Sequence, residues 1–390
     1  MTRLLMFGAV LALVTFWLHR RLVRAPGLRR PWSIIVDAAL VVLWALVIVG
    51  IGSGEVFDPG WARIPGFVGM VWLAAVFYLI LGLLLIAVAS LLTRLVRWMR
   101  RRKGSTDAPE LEPTGPSRRR VLQAATAVVA VGAIGTAAYG VVEAARPRIV
   151  RVRVPLRRLP PEFEGLRVAL ISDLHVGPTR GREFTQRVVD QVNEQRPDLI
   201  VIAGDLIDGT VAKVAADLEP LADLAAPLGV FGVSGNHEFY ADDGGRWLDV
   251  WDRLGVRTLR NERVPIDRDG ATIDLVGIHD YSSPEPYEPD LPAALAGRDP
   301  NTFALLLAHE PRQAFEASDL GIDLQLSGHT HGGQMWPIRY LVPLQQPSVQ
   351  GLDRVGNTVL YTTRGAGAWG PPVRVGAPPE ITILTLIRPE

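Results

Sequence analysis

Five times along this chain a short apolar run breaks off at a side chain able to hold a metal ion. ALISDLH ends on Asp173 and His175, LIVIAGD on Asp205, and VFGVSGNHE on Asn236, His237 and Glu238. ALLLAHE supplies His309, and LQLSGHTH supplies His329 and His331. Short continuous apolar runs of this length are strands buried on both faces. Loops past the carboxyl ends of such strands are where α/β domains build their ligand sites. A satisfied core histidine or a helix cap explains one such ending. Five in one order, holding five of the seven histidines, weigh against that reading. Around the last pair, glycines at 328, 332 and 333 let the backbone turn tightly and pass close to an ion.

The surrounding pattern predicts an α/β domain over residues 148–390 with more than one sheet. Strands are expected at 149–154, 166–172, 199–203, 229–234, 272–278, 303–308, 322–326, 359–363 and 381–386, and helices at 184–194, 211–226 and 247–254. No internal repeat is visible.

Hydrophobic residues make up 48% of the 390, and the surplus sits at the front. Apolar runs at 4–18, 34–51 and 67–92 predict three transmembrane helices in a membrane region spanning 1–103. Buried core helices are the competing reading, but three runs with alternating basic flanks are hard to pack in a soluble fold. Arginines crowd the stretches at 19–31 and 94–120, whereas 52–66 carries Glu55, Asp58 and one arginine. The positive-inside rule therefore puts the first two in the cytoplasm and the third outside. Asp37 is expected to snorkel at an interface and His19 to lie at one.

Residues 104–120 read as a Pro-, Gly- and acid-rich linker. Residues 121–143, entered through SRRRVLQ, are either a fourth transmembrane helix or a twin-arginine-like signal segment. The signal match is partial, with Val121 and Gln123 at positions where such signals favour other residues, and cleavage after Ala144 stays open. Both readings place the residues after about 145 outside the cytoplasm: a multi-pass cell-membrane protein with an extracytoplasmic catalytic domain. Residues 1–150 carry 18 Arg/Lys and 7 Asp/Glu, net +11; the remaining 23 and 33 leave the rest at −10. An acidic soluble half is a poor sequence-independent nucleic-acid binder, so no nucleic-acid surface is expected.

The chain has no cysteine, so disulfides and thiolate sites are excluded and any metal is held by nitrogen and oxygen. Two divalent ions about 3.5–4 Å apart repel, and a carboxylate has to bridge them. Asp205, central in the set, is the natural bridge; Asp173 adds a second carboxylate, and imidazoles fill the other positions. A metal-bridging hydroxide is then the expected nucleophile on phosphorus. His237, next to Asn236, can serve as general acid for the leaving oxygen or as a cation for the transition state. The catalytic candidates are thus His237, Asn236 and Asp205.

The series DxH, GD, GNHE, H and GHTH resembles the calcineurin-like metallophosphoesterase superfamily over about residues 166–388. GHTHGGQ, TRGAGAWG and a late PEITIL strand are similar to its bacterial branch of membrane-anchored or twin-arginine-exported phosphodiesterases. The resemblance implies a four-layer α/β/β/α sandwich with metals between the sheets. One ion would take Asp173, His175, Asp205 and His331; the other Asp205, Asn236, His309 and His329. His237 would face the phosphate, with Glu238 orienting it. The cofactors would be two divalent ions, Mn, Fe, Zn or similar.

Several neighbours carry weaker expectations. His279 and Asp280 are expected to be structural rather than ligating. Asp208 and Glu310 could support ligands or serve as turn and cap residues. Arg364 reads equally as a phosphate contact or a solvated arginine. Trp336, Tyr340 and Trp369 could form an apolar lip for a lipid-like substrate, with packing the safer expectation.

Function is expected to be that of a membrane-anchored di-metal phosphodiesterase cleaving phosphodiester or pyrophosphate bonds, with lipid and envelope substrates suggested by the anchor. A phosphomonoesterase or nucleotidase is the alternative, followed by a non-catalytic metal-binding scaffold. Expected partners are a phosphate-ester substrate, the bilayer and the twin-arginine export machinery.

Overall fold

The computed structural model describes residues 2–25, 27–102 and 117–389. Two compact units emerge: residues 1–49 with 68–139, and residues 50–67 with 140–390.

The first unit is helical. Helices α1 (Thr2–His19), α2 (Arg30–Gly52), α3 (Pro59–Arg102) and α4 (Arg118–Ala144) supply four segments long and apolar enough to cross a membrane. The first reaches that length because a π-helical turn, Arg20–Arg24, continues α1. His19 Nδ1 lies 2.6 Å from Asp37 Oδ1, so the two polar residues read separately in the sequence are one pair. Most of the expected linker, residues 104–116, lies outside the described residues.

The second unit is built on two six-stranded sheets. Its strands are β1 (Arg148–Pro155), β2 (Arg167–Ile171), β3 (Leu199–Ile202), β4 (Val230–Gly232), β5 (Arg257–Thr258) and β6 (Glu262–Arg268). They continue with β7 (Ala271–Gly277), β8 (Ala304–Leu307), β9 (Leu324–Ser327), β10 (Gly351–Val355), β11 (Thr358–Thr362) and β12 (Glu380–Ile387). The sheet orders are β1-β12-β2-β3-β4-β5 and β10-β11-β9-β8-β7-β6.

Period-two alternation explains why the central strands are apolar throughout. Val168 and Leu170 of β2 and Leu199 and Val201 of β3 enter the core between the sheets, with Leu275, Leu305 and Leu324 from the second sheet. Their neighbours Ala169, Ile171, Ile200 and Ile202 point the other way, onto helices α5 (Arg182–Glu194) and α6 (Gly244–Arg253), including Trp247 and Trp251. On the far side, Val276, Ala304 and Leu306 pack on Leu291 and Ala317 of short helices. Both sheets are therefore covered on both faces, a four-layer α/β/β/α sandwich.

Three local expectations change. Residues 211–226 form a short helical turn, Val211–Val214, and a 3-10 segment, Ala215–Asp223, because Pro220 cannot continue an α-helix. Strands β5, β6 and β10 lie outside the expected set; β6 pairs with β7 through Asp269-Gly270, both at positive φ as a tight hairpin requires. Residues 52–66, expected as a loop outside the cytoplasm, start α3 at Pro59 and belong to the second unit.

Candidate metal centre

All seven candidate ligands and His237 meet where β2, β3, β4, β8 and β9 end. The parallel register aligns these ends: Ile171 pairs with Ile202, Ile202 with Gly232, and Leu307 with Leu326. The chain turns abruptly as each strand stops. Asp173, His175, Asp205, His329 and His331 have φ between 48° and 70°, a left-handed conformation that costs a non-glycine residue about 1–3 kcal/mol. Such strain persists where the surroundings over-determine it. At Gly328 a side chain would overlap Ser172 Oγ and Asp173 Oδ2, which is why glycine starts the GHTH loop.

Two groups form around one carboxylate. Asp173, His175 and His331 make the first, with His331 Nε2 3.3 Å from Asp173 Oδ1 and 3.0 Å from His175 Nε2. Asp205, His309 and His329 make the second; His329 Nδ1 is 3.3 Å from His309 Nε2 and 3.1 Å from Asn236 Oδ1. Asp205 Oδ2 stands 3.1 Å from His309 Nε2 and 3.8 Å from His175 Nε2, so it addresses both.

This donor set fits divalent cations. Imidazole nitrogens converge pairwise at 3.0–3.3 Å beside carboxylate oxygens, an arrangement of lone pairs aimed at shared points. The opposite ring nitrogens are tied back. His309 Nδ1 donates to Ala203 O at 2.6 Å, and His175 Nδ1 to Asp208 Oδ1 at 3.2 Å, so Nε2 is the atom each can turn to a metal, which would displace any proton it carries. Burial, then the charge of His309, pushes His329 down to about 3; burial, then Arg374 and His175, pushes His331 well down. His329 is thus neutral, the form a metal takes, while His331 Nδ1 accepts from Arg374 at 3.0 Å. Burial raises the Asp205 carboxyl, but His309 and His237 outweigh it and hold it well below the usual carboxylate range.

His237 is held differently. Its Nδ1 donates to Asp208 Oδ1 at 2.5 Å, and its Nε2 stays 4.0 Å from Asp205 Oδ2. Burial lowers this imidazole, yet Asp205 and Asp208 prevail and lift it to about 9. Glu238 does not orient His237 as the resemblance implied. Its carboxylate accepts from the backbone N–H of Asp205, Leu206 and Gly235 at 3.0, 2.9 and 2.7 Å, fastening the Asp205 turn to the Gly235 turn. Asp208 is the carboxylate that orients His237, and His175 with it.

The remaining expectations sort by contact. Glu310 Oε2 lies 3.7 Å from His329 Nε2 and accepts from Gln346 at 2.6 Å. His279 is buried outside the cluster, 3.2 Å from Ser234 Oγ, and Asp280 accepts from Ser282. Arg364 is partly buried and paired with Glu380. Trp336, Tyr340 and Trp369 are exposed rather than packed.

Two features were missed. Arg374 is fully buried and donates to the carbonyls of His331 (2.7 Å), Arg364 (2.8 Å) and Gly367 (2.7 Å), locking the His331 loop to the 364–367 loop. Nothing in VRVG signals that role. Residues 53–63 lie behind the Asp208 turn: Thr210 N donates to Gly54 O at 3.0 Å, and Arg63 bonds Gly177 O at 3.0 Å and Asp217 at 2.5 Å.

Comparison with known proteins agrees with this architecture. The family model for calcineurin-like phosphoesterases matches residues 166–333. A transmembrane protein with metallophosphoesterase domain from Danio rerio is 34% identical over 98% of this chain and 88% of its own length. A Helicobacter pylori metallophosphoesterase is 38% identical over 62% of this chain and 65% of its own length. The Bacillus subtilis metallophosphoesterase YkuE is 32% identical over 69% and 97%. The family uses divalent metals, and this chain, with its metal-competent clusters and apolar helices, belongs to the calcineurin-like phosphoesterase family.

Proposed function

We propose that this chain is a multi-pass membrane phosphodiesterase whose catalytic domain lies outside the cytoplasm. The observation that carries it is Asp205, whose Oδ2 addresses one imidazole of each group while a separate, carboxylate-held histidine stands beside them. Asp173, His175, Asp205 and His331 would hold one divalent ion, and Asp205, Asn236, His309 and His329 a second. Bound there, divalent ions would polarise the phosphoryl oxygens and lower the pKa of a water towards neutral.

The chain's own residues supply the rest. His237 is fixed by Asp208 at Nδ1, so its Nε2–H points into the cluster and can give a proton to the departing oxygen. A scaffold has no use for such a histidine. Proton donation to an alkoxide leaving group serves diesters and monoesters alike; the diester reading follows the GHTHGGQ and TRGAGAWG resemblance.

The 118–144 segment is retained as an anchor in this reading. Gly140 O accepts from Arg374 N at 2.9 Å and Ala144 O from Arg180 at 3.4 Å, contacts that cleavage after Ala144 would remove. The basic flanks orient the helices as the positive-inside rule requires.

The test uses the full chain in detergent with Mn²⁺, because residues 50–67 belong to the catalytic unit. Bis-p-nitrophenyl phosphate should be hydrolysed faster than p-nitrophenyl phosphate, and Asp205→Asn should lower the rate about 10³-fold. Equal rates for wild type and Asp205→Asn would remove the basis of the proposal.

A further inference from the structure

The mouth of the cluster carries apolar side chains that hydrolysis itself does not use. Trp336, Tyr340, Leu341, Leu344 and Trp369 are 52–80% exposed. The first four ride on the loop that leaves His331, and Trp369 sits on the loop after β11. Trp336 N donates to Val375 O at 2.8 Å, and Gln334 clasps Trp369, accepting from its N–H at 3.0 Å and donating to its carbonyl at 2.8 Å. The Trp369 ring lies 5.9 Å from the His237 ring, so this rim begins at the reacting centre and runs outward. Exposed apolar surface of this extent marks an interaction site, and Trp and Tyr are the residues that favour the level of lipid head groups.

Position says what covers it. Val373 and Val375, next to the rim, close over Gly140, which stands four residues before the end of the apolar helix α4. Residues 53–63, the link after α2 and the first turn of α3, are bonded to Gly177 and Thr210 in the loops after β2 and β3. The loops around the cluster are therefore tied at two places to chain that runs within a few residues into apolar helices. At about 3.5 Å per residue that is a short reach.

Resting on the phosphodiesterase reading, we propose that the rim at 336–344 with Trp369 seats in the outer interface of the bilayer and admits the head group of a membrane lipid phosphodiester to the metal centre. The acyl chains stay in the membrane. Water adds across one P–O bond: the new P–O bond forms as the bond to the leaving oxygen breaks, and the proton ends on that oxygen.

The test compares two substrates with one leaving group, using the full chain in phosphatidylcholine vesicles with Mn²⁺. One is a diacylglycerol p-nitrophenyl phosphate diester in the bilayer; the other is bis-p-nitrophenyl phosphate in water. Leu341→Asp combined with Leu344→Asp, at positions 61% and 80% exposed, should slow the lipid substrate at least tenfold and leave the soluble one unchanged. Equal loss on both, or on neither, overturns the proposal. Asp205→Asn active on both would instead sink the phosphodiesterase reading. The absence of cysteine allows an independent readout. A polarity-sensitive dye on Leu341→Cys should shift to the blue and be quenched by brominated lipid, while the same dye on Asp269→Cys in the β6–β7 turn should not. Identical emission from both positions refutes seating.

Discussion

Asp208 is the residue whose replacement tests the geometry most sharply. Its Oδ1 accepts from Nδ1 of His237 at 2.5 Å and of His175 at 3.2 Å, so a single oxygen fixes the proposed acid and a candidate ligand. Asp208→Asn keeps the shape but removes the charge, and the amide can present its N–H₂ to an imidazole N–H. Losing one charge-assisted bond to a buried group is worth about 1.5–3 kcal/mol. At about 1.4 kcal/mol per decade this is roughly 10- to 100-fold in kcat/KM, the range also expected for partners that support metal ligands. Saturating Mn²⁺ should recover the share due to His175 and leave the share due to His237 as a lowered kcat. The pH profile separates them further. Asp205 and Asp208 overcome burial to lift His237 to about 9, so removing Asp208 brings it down. A protonated His237 is lost as pH rises through its pKa, and the alkaline limb of the profile should move to lower pH. On a diester with an alkyl leaving group, which needs the proton, a variant within twofold of wild type with an unmoved alkaline limb would refute the assignment of His237 as the acid.

Gly54→Val should lower both activity and melting temperature: φ at Gly54 is +85°, a cost of about 1–3 kcal/mol for a side chain, and its Cβ would stand 2.6 Å from Asp208 O. Wild-type behaviour by calorimetry and diester assay would dissociate the 53–63 segment from the site. Chelation should lower the melting temperature and Mn²⁺ restore it, since ligand at 100 times its Kd stabilises by about 2.7 kcal/mol; an unchanged transition would speak against a metal centre. His279 is pushed down to about 4 by burial and then Arg260. Its folded pKa lies below the ordinary 6.5, so the stability it contributes is present above 6.5 and is lost as pH falls towards about 4. His279→Gln should flatten that part of the melting curve against pH, and parallel curves would count against it.

What the sequence makes legible is what local pattern encodes. The apolar runs of β2, β3, β8 and β9 disclose strands buried on both faces, and their polar endings disclose which residues can meet, because parallel strands in register bring their carboxyl ends together. Strand β6 escapes because ERVPIDR alternates only weakly and holds a proline, which suits an edge strand but reads as loop. The support of the site is less legible still, since its partners lie far apart in the chain. Glu238 stands beside His237 in sequence and suggests an orienting carboxylate, yet its side chain turns back to three backbone N–H groups, and Asp208, 29 positions away, takes that place. Arg374 reaches His331 across 43 positions, and Gly54 meets Thr210 across 156. The last distance carries the most consequence. Residues 53–63 look like a spacer between two apolar helices, but their carbonyls and Arg63 complete the Asp208 turn. Cutting the chain at residue 148 to obtain a soluble enzyme therefore removes part of what holds His237, and loss of activity in such a fragment would report the missing segment rather than the chemistry of the cluster.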